Sequence, residues 1–304
     1  MSAPLLECIP NLSEGRDHAA LDRLWHNLQQ ITALQCLHRS ADPDHHRSVL
    51  TLAGPPAALR EAAHAMLAWA SEQIDLRQHQ GVHPRIGALD VLPLVPLQGI
   101  SQAEAVTFSQ ELGAELANRW QLPIYFYEAS ARQPERQALP LIRKGGFEQL
   151  NARILAGFVP DAGPHQAHPQ LGATVLGVRP FLIAWNVFLK SQDLALAQQI
   201  ARSLRERDGG FQAVRALGLW LPGKGQVQVS MNLLDFRQTG LWPVYQKIQA
   251  LASAAGVQVG QSELIGLPPR EALLEAACAA LQTGPDFQLD HVIEARLKQP
   301  GLRD

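Results

Sequence analysis

The sequence predicts an α/β protein built as two related units, and three observations carry that expectation. The chain has 304 residues, about twice a typical domain length. Hydrophobic residues make up 46% and charged residues 18%, enough for a sizeable core and unlike a disordered or fibrous chain. Strand-like and helix-like periods alternate in both halves, in a similar order.

In the first half, residues 4–9 read as a strand, ended by Pro10 and the polar loop 11–15. A helix follows over about 17–30. Two extended stretches near 33–40 and 47–53 are separated by the turn-rich segment 41–46. The Pro55–Pro56 pair opens a second helix to about Gln73, since proline is tolerated in a first turn. Leu59, Ala63, Met66 and Ala70 recur on one face of it at helical spacing. Residues 76–88 show no regular period. A buried strand over 90–96 comes next. Ser101 and Glu104 fit a capping box that starts a helix with Ala105, Phe108, Leu112 and Leu116 inward. A strand over 123–127 closes the unit.

The second half reads as a strand at 181–189, a helix at 193–206, and strands near 213–221 and 226–235. A helix over about 241–255 stops at Gly256, and a strand over 257–264 follows. This β-α-β-β-α-β order is that of a ferredoxin-like split unit, and the first half contains the same order with additions. The expected units are 1–178 and 179–304. Segment 129–172, rich in Pro, Gly, Arg and His, joins them, and a helical tail is expected over about 269–297.

Composition excludes several function classes. Twenty-six basic against 28 acidic residues give a net charge of -2, so nothing draws the chain to nucleic acid or to an anionic membrane. An anionic ligand must be held by a local cluster. Cys8, Cys36 and Cys278 are far apart and odd in number, without zinc spacing or a disulfide framework. They suit small hydrophobes in a reducing cytosol. The N-terminus lacks a basic region and meets Glu7 early, unlike a signal peptide. No apolar run approaches the roughly 20 residues of a membrane span. The expectation is a soluble, cytoplasmic protein.

Histidines gather where chemistry can occur. His45, His46, His79 and His83 fall in two irregular segments, and His165 and His168 lie in the junction. An imidazole titrates near pH 6.5 and can exchange protons near neutrality. A metal site would combine His79 and His83 with Asp42, Asp44, His45 or His46. Gly81 and Pro84 oppose the helix that would aim both rings at one ion, and no Glu follows His79, so no metal is expected. Proton transfer by His83 is the alternative. It precedes Pro84, which favours an extended backbone, and sits before a buried strand. Arg85 beside it could grip an anion bidentately. A surface loop with only local hydrogen bonds is the bland reading.

Segment 160–174 holds two glycines, three prolines and two histidines, and reads as either a linker or a preformed ligand loop. Val227, Val229, Met231 and Leu233 alternate with Gln228, Ser230 and Asn232, a polar comb that faces either water or a ligand. Loop 11–16 enters a helix, where backbone amides suit anions, but it lacks a nucleotide fingerprint. There is no G-x-S-x-G for a serine hydrolase.

Taken together, E-C-I-P-N-L-S-E-G-R (7–16), H-Q-G-V-H-P-R-I-G-A-L-D-V-L-P (79–93) and P-D-A-G-P…L-G-A-T (160–174) resemble the glutamate formimidoyltransferase family. F-L-I-A-W-N-V-F-L (181–189), Q-V-S-M-N-L-L-D-F (228–236) and S-E-L-I-G-L-P-P (262–269) extend the likeness in the same order over nearly the whole chain. The resemblance implies two ferredoxin-like subdomains with a ligand tunnel between them. It implies transfer of a formimino group from N-formimino-L-glutamate to nitrogen 5 of tetrahydrofolate, with tetrahydrofolate as co-substrate and no metal. The family's catalytic histidine falls on His83. Its folate-binding stretch falls on Gly163, Pro164, His165, Gln166, Ala167, His168, Pro169, Gln170, Leu171 and Gly172. Arg47, Arg85 and Arg179 are candidates for holding the anionic substrates. The family implies a homodimer. A separate cyclodeaminase is expected to process the product, since the segment fused downstream in bifunctional members is not found here.

The chain departs from familiar members around His83. Val82 stands where they often have Glu, His46-Arg47-Ser48 stands for Asn-Arg-Thr, and Ser40 occupies an acidic position. A formyl rather than formimino donor, a non-catalytic folate binder and a metal-dependent hydrolase are the alternative readings.

Overall fold

Leu6, Cys8, Leu50, Leu52, Leu92, Leu94, Leu176 and Val178 turn to one side of the N-terminal sheet and pack against three helices. The computed structural model describes residues 3–284 and 287, and the chain divides into units of residues 1–180 and 181–304. In the first unit, β1 (Leu5–Cys8) and β2 (Asn11–Leu12) lead to α1 (His18–Gln29), β3 (Gln35–Asp42), β4 (Arg47–Gly54) and α2 (Pro56–Gln73). Then come β5 (Leu89–Gln98), α3 (Gln102–Trp120), β6 (Ile124–Phe126), α4 (Leu139–Ile142), α5 (Gly146–Leu155) and β7 (Thr174–Val178).

β3, β4, the β1–β2 pair and β5 lie side by side and antiparallel, the ferredoxin-like arrangement. β7 then pairs with β5 in parallel, and β6 pairs with β7 in parallel, giving seven strands in all. Three helix starts have a local cause. Asp17 accepts from the Ala20 amide at 2.8 Å to cap α1. Ser101 and Glu104 close the expected capping box on α3. Pro56 occupies the first turn of α2.

Segment 129–172 is more than the expected connector. It forms α4 and α5, whose Ile142, Leu150 and Ile154 pack on Val91, Tyr125 and Val175, on the sheet face opposite α1, α2 and α3. Strand β7, just after it, was not anticipated either.

The second unit contains β8 (Ile183–Leu189), α6 (Leu194–Leu204), β9 (Val214–Leu221), β10 (Gln226–Leu233), α7 (Leu241–Ala254), β11 (Val259–Ile265) and α8 (Arg270–Leu281). Its four strands run β11-β8-β10-β9, all antiparallel, so the ferredoxin-like reading holds here without additions. Val187, Val227, Val229 and Met231 meet Ile200, Val244 and Ile248 in its core. The expected helix over 269–297 stops at Leu281, where Gln282 takes a left-handed backbone (φ 54°); residues 288–297 lie outside the described residues. On the polar comb, Gln228 is 0% exposed and Asn232 is exposed, so the comb is not uniformly wet.

Candidate active site

The loop before β5 is shaped by a carboxylate. Asp90, 0% exposed, accepts from the Ile86 amide at 2.9 Å, from Arg47 Nη1 at 2.9 Å and from Arg143 Nη2. Burial alone would raise its pKa. The Arg143 and Arg47 guanidiniums overcome that and hold it below the ordinary Asp range. Arg47, at the start of β4, also donates through Nε and Nη2 to Asn11 Oδ1 at 2.9 and 2.7 Å. Its burial and the nearby Arg143 lower it to about 10, still charged at neutrality. β2, β4, β5 and the end of α4 thus meet at two arginines sharing one carboxylate.

His83 sits against this network, half-buried. Its Nδ1 is 3.2 Å from Arg47 Nη1 and 2.9 Å from the Pro84 carbonyl. A guanidinium only donates and a carbonyl only accepts, so the two contacts belong to different tautomers. With Nδ1–H turned to Pro84, the lone pair lies on Nε2. Burial, then the charges of Arg47, Arg143 and His45, push the pKa of His83 well below 6.5. The imidazole is therefore neutral at pH 7 and able to take up a proton. The His45 ring lies 5.7 Å away, tilted, and its backbone amide is held by Asp42 Oδ1 at 2.8 Å.

A second histidine layer supports the first. His46 stacks on His79 with centroids 4.2 Å apart. Arg85 Nε donates to His79 Nδ1 at 2.8 Å, so the His79 proton is on Nε2, which donates to the His46 carbonyl at 2.8 Å. Burial first, and the positive groups nearby, lower His79 to about 4. Glu14 faces His46 Nε2 at 3.4 Å. Although burial raises it, His46 and the amides of Asp17 and Arg16 bring it down to about 2. Arg16 ties both loops together, donating to the Pro43 and Gln80 carbonyls at 3.0 and 2.9 Å. Gly81 passes so close to the β3–β4 turn that a Cβ would lie 2.3 Å from the His45 carbonyl oxygen.

The junction loop is fastened to the same region. The Ala88 and Leu76 amides donate to the Leu171 and Gln170 carbonyls at 2.9 and 3.0 Å, and the Ala173 amide to Ile86 at 3.0 Å. His168 Nδ1 accepts from the amides of Gln170 and Leu171, and the Gln170 side chain donates to Ser71 and Ile74 carbonyls. Ala167 and Leu171 point inward; Gly163, His165, Gln166 and Pro169 are exposed. Gly172 needs its left-handed backbone (φ 72°), and a Cβ there would meet the Ile86 carbonyl oxygen at 2.0 Å.

The three candidate anion-holding arginines are all largely buried and engaged with the protein. Arg47 is bound as described. Arg85 donates to Glu148 at 2.8 and 3.1 Å and to the His79 carbonyl. Arg179 Nη1 donates to the Pro180 carbonyl at 2.8 Å. Sequence reasoning missed Asp90, Asn11, Arg143 and Glu148. Only Asp90 carried a signal, a lone charge opening an apolar strand. Among the described residues, no three His, Cys, Asp or Glu side chains converge to hold a metal ion.

A split α/β sheet carrying a neutral histidine beside a buried arginine–aspartate pair defines a two-unit α/β protein with a site suited to proton transfer. The chain belongs to the formiminotransferase family. Residues 5–179 match the formiminotransferase domain, N-terminal subdomain, and residues 184–304 match the formiminotransferase domain. It is 39% identical over 281 residues to the glutamate formimidoyltransferase of Streptococcus pyogenes serotype M1, covering 92% of this chain and 94% of that protein. It is 36% identical to the glutamate formimidoyltransferase of Thermoplasma acidophilum, covering 97% and 98%. It is 40% identical to the formimidoyltransferase-cyclodeaminase of Rattus norvegicus over 96% of this chain, which spans about half, 55%, of that longer protein.

Proposed function

We propose that this protein is a glutamate formimidoyltransferase that moves the formimino group of N-formimino-L-glutamate to nitrogen 5 of tetrahydrofolate. The observation that carries the reading is the match of both halves to the formiminotransferase domain, in order and over nearly the whole chain. Relatives of almost equal length are named for this activity.

His83 is the proposed acid–base residue. Nitrogen 5 attacks the formimino carbon, and Nε2 of His83 accepts the proton that nitrogen loses. The tetrahedral intermediate then breaks its bond to the glutamate nitrogen, and the imidazolium returns the proton to that leaving amine. The arginine charges beside His83 suit both halves of the step. They keep the ring neutral beforehand and favour release of the proton afterwards. The Pro84 carbonyl can hold the tautomer with Nε2 unprotonated. The junction loop Gly163–Gly172 is the proposed folate contact, supported by its attachment to the loop that carries His83, at Leu76 and Ala88. Among Arg47, Arg85 and Arg179, Arg47 is better suited to positioning His83 than to gripping a carboxylate, because Asn11 and Asp90 already take its donors.

Neither homodimer formation nor a separate cyclodeaminase partner follows from the site; both are proposals resting on the family. No described helix is long and apolar enough to cross a membrane, and the cytoplasm, where reduced folate substrates are handled, is the proposed compartment. The test is turnover with tetrahydrofolate and a panel of formiminoglutamate and formylglutamate. Formimino transfer supports the assignment. Turnover confined to the formyl donor shifts the donor, the alternative raised by the departures at Val82 and Ser40. Folate binding without turnover identifies a non-catalytic binder.

A further inference from the structure

The N-terminal sheet carries a second polar group that the proton-transfer step does not use. On the face opposite α1, α2 and α3, three adjacent strands present Glu7 (β1), Thr51 (β4) and His38 (β3). Thr51 pairs directly with His38, and Glu7 pairs with Ala53, two residues along β4 from Thr51 on the same face. Glu7 is 7% exposed and Thr51 is 1% exposed. None of the described residues hydrogen-bonds Glu7 Oε2, Thr51 Oγ1 or His38 Nδ1. Three orphaned polar atoms on adjacent strands of one sheet face are costly unless water or a ligand satisfies them.

The chemistry of the cluster defines that ligand. A carboxylate only accepts, so the group at Glu7 must present N–H donors. Burial raises the Glu7 carboxyl above its ordinary range and the Arg179 charge offsets this only in part, so N–H donors from a ligand are what favour its ionised form; Arg179 also hydrogen-bonds Tyr127. Thr51 and His38 can each donate, which suits a carbonyl oxygen adjoining those N–H groups. A flat ring edge with two N–H donors next to a carbonyl is an amino-pyrimidinone edge.

Position agrees. Asn11, which holds Arg47 and through it His83, lies on the same face four residues beyond Glu7. At strand rise that separation is roughly 13 Å, on the scale of a bicyclic ring with a hydrogen bond at each end. We infer that Glu7, with Thr51 beside it, binds the amino-pyrimidinone edge of the reduced pterin and so sets which ring system enters with its reacting nitrogen toward His83. This rests on the folate-dependent reading above.

The test compares tetrahydrofolate with its 2-desamino analogue, by calorimetry under anaerobic conditions, on wild type and Glu7→Gln. Wild type is expected to bind the desamino compound about tenfold to a hundredfold more weakly, as for loss of a charge-assisted hydrogen bond. Glu7→Gln should bind tetrahydrofolate weaker by a similar factor and discriminate little between the two pterins, with the KM for formiminoglutamate unchanged. A purely structural carboxylate would leave the discrimination intact. Equal affinity of wild type for both pterins overturns the assignment, as does full discrimination by Glu7→Gln. The wild-type comparison needs no variant and stands even if Glu7→Gln fails to fold. A wild type that binds no tetrahydrofolate overturns the folate reading and this inference together, whereas binding without discrimination overturns this inference alone.

Discussion

At the scale of single residues, the site depends on which charges surround one imidazole. His83→Asn removes the proposed proton carrier, and turnover is expected to fall by about a hundredfold or more, with tetrahydrofolate affinity kept; the pair of measurements is kcat and a binding isotherm. Because burial and the arginines depress His83, the acidic limb of kcat/KM should lie below 6.5. Activity persists as pH drops through the ordinary imidazole range and is lost only as pH falls through the depressed value. A pH profile with its limb at or above 6.5 would contradict the geometry. Asp90 works through stability as well. Its folded pKa is lowered, so its contribution is present above the unfolded value of about 3.9 and disappears as pH falls through the folded value. Asp90→Asn leaves Arg47 and Arg143 facing a neutral amide and should cost about 3–5 kcal/mol in urea unfolding. His83 was visible in the sequence because an irregular, Gly-bounded loop next to a strand is unusual. Of its partners, Arg47 was singled out for a different role, as a holder of anionic substrate; its grouping with Asn11, Asp90 and Arg143 was not legible, because these residues come together only when four separate elements do.

At the scale of elements, local rules wrote themselves clearly into some segments and not others. The capping box at Ser101 and Glu104 and the proline-led start of α2 were readable because each is settled within four residues. Ser101→Ala should cost about 1 kcal/mol, read as a shift in the unfolding midpoint. α5 was hidden by its surroundings. Its apolar stripe is short, Leu150 and Ile154, and glycine, proline and arginine on either side read as loop. Leu150 is nonetheless fully buried, and Leu150→Ala is expected to destabilise by about 2–5 kcal/mol. Strand β7 escaped notice for a different reason. It is wholly buried, T-V-L-G-V, so it lacks the two-residue alternation that marks a half-exposed strand.

At the scale of the whole molecule, the repeated β-α-β-β-α-β order was the most legible feature, because it depends on the succession of periods rather than on any one boundary. What the first unit adds to that order, the parallel pair β6 and β7, is where succession and spatial order part company. β7 is last in the unit's sequence yet stands between β5 and β6, and β6 pairs with no other described strand. A chain leaving the ribosome would therefore hold Ile124–Phe126 without a ladder partner until some fifty further residues had emerged. Stalled nascent chains ending between these two strands should be open to protease near residue 124 and become resistant once Val178 clears the exit tunnel, so that translation speed across this stretch decides how long an unfinished edge is exposed to chaperones.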